Sequence, residues 1–157
     1  MAMNKILYVD DNRKNGEAAR AVESRIVYAP SIASIPGSLR DYDCIITDMQ
    51  MEHERSGMDL VERAVREGKL PWIASGGTYD HGGIFNRVRL FNPITIKIFN
   101  KMSKEEQRFW GEALPFIERN QNNPIQRSLE KVFSKLGTVP EFSFEQIMLL
   151  YNLHSRT

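Results

Sequence analysis

The sequence predicts an α/β domain: a parallel sheet covered by helices on both faces, followed by a short helical extension. Two observations carry this. Short apolar runs bounded by polar turns recur through the first part of the chain, and segments of helical period lie between them. The strongest runs are apolar on both faces rather than alternating, which is the mark of strands that helices cover on each side.

The elements follow in order. Ile6-Leu7-Tyr8-Val9 reads as the first strand, and Asn15 to Val22, with Ala18, Ala19 and Val22 on one face, as the first helix. Arg25 to Tyr28 is a weaker strand candidate. The next crossover, "SIASIPGSLRDYD", carries Pro36 and Gly37, so any helix in it must be short. Cys44 to Thr47 is the next strand; Met58 to Val65 reads as a helix and Trp72 to Ala74 as a strand. Ile84 to Phe91 has a helical period, and Ile94, Ile96 and Ile98 alternate as a last strand would. Ser103 and Glu106 have the spacing of a capping box, ahead of a helix lined by Phe109, Trp110, Ala113, Leu114 and Ile117. Pro115 should kink or interrupt that helix, because it has no N–H to donate. Beyond Asn120, "NQNNP" is loop-like, and two amphipathic segments follow, one from Ile125 to Leu136 and one from Phe144 to Tyr151. The expected organisation is a domain over residues 1–120 and a helical extension over 121–157.

With 157 residues the chain has room for one domain with a core and a small appendage. Lys and Arg number 21 against 20 Asp and Glu, so no global field draws the protein onto nucleic acid or an anionic membrane. The tail is close to charge-balanced and short for a DNA-binding output domain, so it is expected to pack on the main domain or to form a dimer or partner surface. The single Cys44 excludes a disulfide framework and suits a reducing, cytoplasmic setting. No apolar stretch approaches the roughly 20 residues of a spanning helix, and the N-terminus carries no leader-like segment, so no membrane is expected. His53, His81 and His154 lack metal-ligand spacing.

The acids sit where function is expected. In an open parallel sheet, ligands bind beyond the carboxyl ends of the strands, near the point where strand order reverses. Asp10 and Asp11 end the first strand, Asp48 ends "CIITD", Ser75 ends "WIAS", and Lys101 follows "ITIKIFN". Three carboxylates gathered at one edge raise one another's pKa unless a cation neutralises them, and Mg²⁺, with its preference for oxygen ligands, is the natural one.

This constellation resembles the receiver domain of bacterial two-component response regulators. The resemblance spans residues 4 to about 120 and rests on "KILYVDDN", "DCIITDMQM", "WIASGG" and "FNKMSKEE", in that order. It implies a flavodoxin-like, doubly wound, five-stranded parallel sheet. It also implies phosphoryl transfer from a histidine kinase or phosphotransfer protein to Asp48, with Lys101 and Ser75 contacting the phosphoryl group. Mg²⁺ would be held by Asp11, by Asp10 through water, by Asp48 and by the backbone carbonyl of Gln50. The chain would catalyse only its own phosphorylation and dephosphorylation, and would signal through a downstream protein partner.

The sequence also departs from the family pattern. Met102 stands where proline usually follows the lysine, Met51-Glu52 replaces Met-Pro, and the aromatic switch position is Ile98, with Phe99 beside it. The glycine-rich loop around Tyr79 is then the candidate moving part. These departures keep open an alternative, a pseudo-receiver that acts as an interaction or dimerisation module without phosphorylation. A flavin binder or haloacid-type phosphohydrolase is disfavoured, since no Gly-rich loop follows the first strand and Met49-Gln50, not x-Asp, follows Asp48.

Overall fold

A computed structural model describes residues 3–48, 51, 56–69, 71–74, 103–121 and 131. Four parallel strands, β1 (Ile6–Val9), β2 (Ile26–Ala29), β3 (Cys44–Thr47) and β4 (Trp72–Ile73), form one sheet in the order β2-β1-β3-β4. Ile6 pairs with Ile26 on one side and with Cys44 on the other, and Ile46 pairs with Trp72. Strand order therefore reverses at β1, which places a crevice between the carboxyl ends of β1 and β3.

Strand alternation sorts the core into two layers. Ile6, Tyr8, Cys44, Ile46 and Trp72 face α1 (Arg13–Val22) and α3 (Gln107–Gln121), whose Ala18, Ala19, Phe109, Trp110, Ala113, Leu114 and Ile117 close that side. Leu7, Val9, Ala29 and Ile45 face the other way, onto Leu60 and Ala64 of α2 (Ser56–Arg66) and onto Leu39 and Tyr42 of the β2–β3 crossover. Burial on both faces is why β1 is apolar throughout and β3 is apolar up to its last residue, the buried Thr47. The expected α/β architecture with helices on both faces is present.

The crossover has no α-helix, only two single 3₁₀ turns at Ile32–Ser34 and Leu39–Asp41, as Pro36 and Gly37 require. Gly37 takes φ 72°, a left-handed conformation that a β-carbon disfavours. The Tyr42 hydroxyl donates to the Pro36 carbonyl and closes the loop.

Several boundaries differ from expectation. α1 starts at Arg13 because the Asn12 side chain caps it, accepting from the Lys14 N–H. Val22, expected on the inner face, is 38% exposed; Asn15 and Gly16 are buried instead. β2 lies one residue later than read, and α3 runs unbroken through Pro115. Both Pro115 and Gly111, whose carbonyl loses its partner, are exposed, so water can solvate that carbonyl while the buried residues on either side hold the helix. Ser103 N–H donates to Glu106 Oε2 as a capping box requires, but the Ser103 hydroxyl accepts from Glu105 rather than Glu106. The expected helix at 84–91, the strand at 94–98 and, apart from Gln121 and Lys131, the extension at 121–157 lie outside the described residues.

Two local arrangements give measurable expectations. A β-carbon on Gly16 would lie 2.6 Å from the Tyr28 ring, whose hydroxyl donates to the Asp10 carbonyl. Gly16→Ala is therefore expected to destabilise by about 1–2 kcal/mol in urea unfolding, in spite of alanine's helix propensity, because the ring must be displaced. Arg25 forks onto Glu23 and Glu118 and also donates to the Met3 carbonyl, tying the sheet's start to α3. Its guanidinium holds the Glu23 carboxyl below the ordinary 4.5. A lowered carboxyl pKa stabilises the fold above pH 4.5, and that contribution is lost as pH falls through the folded-state value. Arg25→Met should cost at most about 1 kcal/mol, since the groups are partly exposed, and urea midpoints should show the deficit closing below pH 4.5.

Candidate functional site

The strands themselves deliver the acids. Asp10 N–H donates to the Ala29 carbonyl and Asp48 N–H to the Val9 carbonyl, so both backbones continue the ladder one step past the strand ends. Their side chains emerge at the crevice where strand order reverses. One carboxylate oxygen from each of Asp10, Asp11 and Asp48 lies within 4.8 Å of the others. Asp11 is exposed, Asp48 partly buried, and Asp10 is 1% exposed.

Burying a carboxylate that deeply requires partners, and Asp10 has four donors. Its Oδ2 accepts from the Tyr8 hydroxyl at 2.5 Å, from Asn15 Nδ2 at 2.9 Å and from Lys104 Nζ at 2.9 Å; its Oδ1 accepts from the Asn12 N–H at 2.9 Å. Burial, reinforced by the adjacent Asp10 charge, pushes the Tyr8 phenol well above its ordinary value, so this hydroxyl remains a donor. Lys104 Nζ also reaches Asp48 Oδ1 at 3.1 Å and the Ala74 carbonyl at 2.7 Å. One ammonium thus spans the carboxyl ends of β1, β3 and β4. Near the rim, Asn12 Nδ2 donates to Glu105, next to that lysine.

The structure brings together Asp10, Asp11 and Asp48, as their places in the sequence suggested. Lys101, Ser75 and Gln50 lie outside the described residues. The cation seated on the acids is Lys104, which the sequence reading placed within a capping box and did not single out. Nothing in one dimension separates it from Lys101. Asn15 and Tyr8 were also missed, although each carries a legible signal. Asn15 is a polar residue three and four positions before the inward-facing Ala18 and Ala19, and Tyr8 shares a strand face with Asp10 two residues on.

Three carboxylates converge on one ammonium here, and such a set of oxygen ligands could hold a divalent cation. Asp10, Asp11 and Asp48 each offer one carboxylate oxygen to such an ion, and Lys104 already contacts Asp10 and Asp48. Among the described residues, no helix is long and apolar enough to cross a membrane. No family model, curated protein or solved structure matches the chain.

Proposed function

We propose that the chain is a phosphoacceptor receiver of a two-component or phosphorelay system, with Asp48 as the acceptor and a flavodoxin-like sheet whose fifth strand is the 94–98 run. The observation that carries this reading is the Lys104 ammonium bridging Asp10 and Asp48 at the switch point of a sheet ordered β2-β1-β3-β4. That order corresponds to the first four strands of a 2-1-3-4-5 sheet.

In this reading an Asp48 carboxylate oxygen attacks the phosphorus of a phosphohistidine. The new O–P bond forms as the P–N bond breaks, and the electron pair leaves on the imidazole nitrogen. Such a transfer makes few covalent demands on the protein; positioning and charge stabilisation do most of the catalysis. Lys104 faces the incoming phosphoryl oxygens, taking the part that the sequence reading gave to Lys101. Mg²⁺, held by Asp11, Asp48 and the Gln50 carbonyl with Asp10 reached through water, would supply further positive charge. Ser75, which directly follows the Ala74 carbonyl that Lys104 contacts, is the proposed hydroxyl donor. The signal passes to a protein partner, with 121–157 as the partner or dimer surface, and the setting is the cytoplasm.

Incubation with acetyl phosphate and Mg²⁺ tests the reading. Intact mass should rise by one phosphoryl group in the wild type and not in Asp48→Ala. Met102, Ile98 and the altered loop after Asp48 favour a second reading, a module that takes no phosphoryl group. A wild type that gains no phosphoryl group would overturn the first reading and leave a phosphorylation-independent interaction module.

A further inference from the structure

Lys104 is held at both ends. Its ammonium meets three oxygens, from Asp10, Asp48 and Ala74, and its own backbone carbonyl accepts the indole N–H of Trp110 at 2.9 Å. Trp110 is fully buried on the first turn of α3, and its ring lies 4.6 Å from that of Tyr8. The Tyr8 hydroxyl in turn donates to Asp10 Oδ2, the same oxygen that receives the Lys104 ammonium. The contacts close a circuit that runs from the lysine carbonyl to the indole, to the phenol, to the carboxylate and back to the lysine head. A second indole, Trp72 on β4, donates to Gln121 at 2.7 Å and fastens the far end of α3 to the sheet. The helix that carries Trp110 is therefore anchored at both ends.

We propose that Trp110 is a positioning residue for Lys104: its indole N–H fixes the backbone of the turn and so sets where the ammonium stands relative to Asp48. Phenylalanine would fill most of the same buried space, whereas only the indole supplies a donor aimed at the lysine's own carbonyl. The catalytic consequence rests on the receiver reading above; the placement of the ammonium does not. A long, flexible lysine stem gives little directional control by itself, and a displacement of the order of 1 Å at a phosphoryl-transfer site can cost about a hundredfold in rate.

The test replaces the indole at residue 110 with benzothiophene, which keeps the bicycle and substitutes sulfur for N–H, alongside Trp110→Phe. Two readouts are taken on the full chain. Competitive trace acetylation measures the reactivity of the Lys104 amine against exposed Lys14. The rate of acetyl phosphate-dependent phosphorylation is measured across a Mg²⁺ titration. In the wild type Lys104 should be strongly protected. In the benzothiophene variant its reactivity should rise at least about fivefold, and the phosphorylation rate at saturating Mg²⁺ should fall roughly tenfold to a hundredfold, with the Mg²⁺ half-saturation changed by less than about twofold. Unchanged Lys104 reactivity in the folded benzothiophene variant overturns the proposal. If the wild type takes up no phosphoryl group but the variant unmasks Lys104, the receiver reading fails while the positioning role stands.

Discussion

Lys104→Met is expected to lower stability by about 3–5 kcal/mol in urea unfolding, one of the two largest losses for any single substitution at this site. The reason is asymmetry. The ammonium, itself 9% exposed, neutralises an Asp10 that is 1% exposed and contacts Asp48 as well. Methionine fills the space but leaves two carboxylates facing each other without their cation, and stripping one partner from a buried ion pair costs far more than the pair contributes net. If the acids hold Mg²⁺ as proposed, the ion should restore part of the lost stability, because a cation among Asp10, Asp11 and Asp48 would relieve the same repulsion in the folded chain. The phosphorylation rate of this variant should fall by at least about two orders of magnitude if the lysine stabilises the transferring group.

Asp10→Asn should cost about 3 kcal/mol, although it removes only a charge and changes the shape very little. Both carboxylate oxygens of Asp10 accept hydrogen bonds, so an amide must turn its NH₂ towards donors whichever way it flips. It confronts either the Asn12 N–H or the trio of Tyr8, Asn15 and Lys104, and leaves buried donors unsatisfied. Asp10 and Lys104 contact each other directly, so their costs should not add. The double variant is expected to be more stable than the sum of the singles predicts, by roughly 1–3 kcal/mol in a double-mutant cycle.

The sheet was legible because its strands are buried on both faces. Ile6–Val9 and Cys44–Ile46 are uninterrupted apolar runs for that physical reason, and each strand is followed by an acid that the ladder then places at the crevice. β2, an edge strand of which Val27 and Tyr28 are only half-buried, gave the weaker signal and was read one residue early. Val22 was misplaced because apolar periodicity does not announce where a helix leaves the sheet. Pro115 was misjudged because tertiary packing of Trp110, Ala113, Leu114 and Ile117 outweighs one missing hydrogen bond on an exposed face.

The site divides in the same way. Carboxylates at strand ends are fixed by strand register, which the sequence carries. The lysine arrives from a turn, and no periodicity tells which of two nearby lysines a turn presents. Trp110 belongs to the same class: its place on the apolar face of α3 was legible, whereas its N–H bond to the Lys104 carbonyl is tertiary information.

The most direct test of a cation and phosphoryl pocket at this edge is a titration of the ¹⁵N-labelled chain with Mg²⁺ and then beryllofluoride, read by amide chemical shifts. Saturable shifts are expected, centred on Asp10, Asp11, Asp48, Ala74 and Lys104, with beryllofluoride effects that require Mg²⁺ and vanish in Asp48→Ala. Shifts centred elsewhere, or none at millimolar Mg²⁺, would contradict such a pocket.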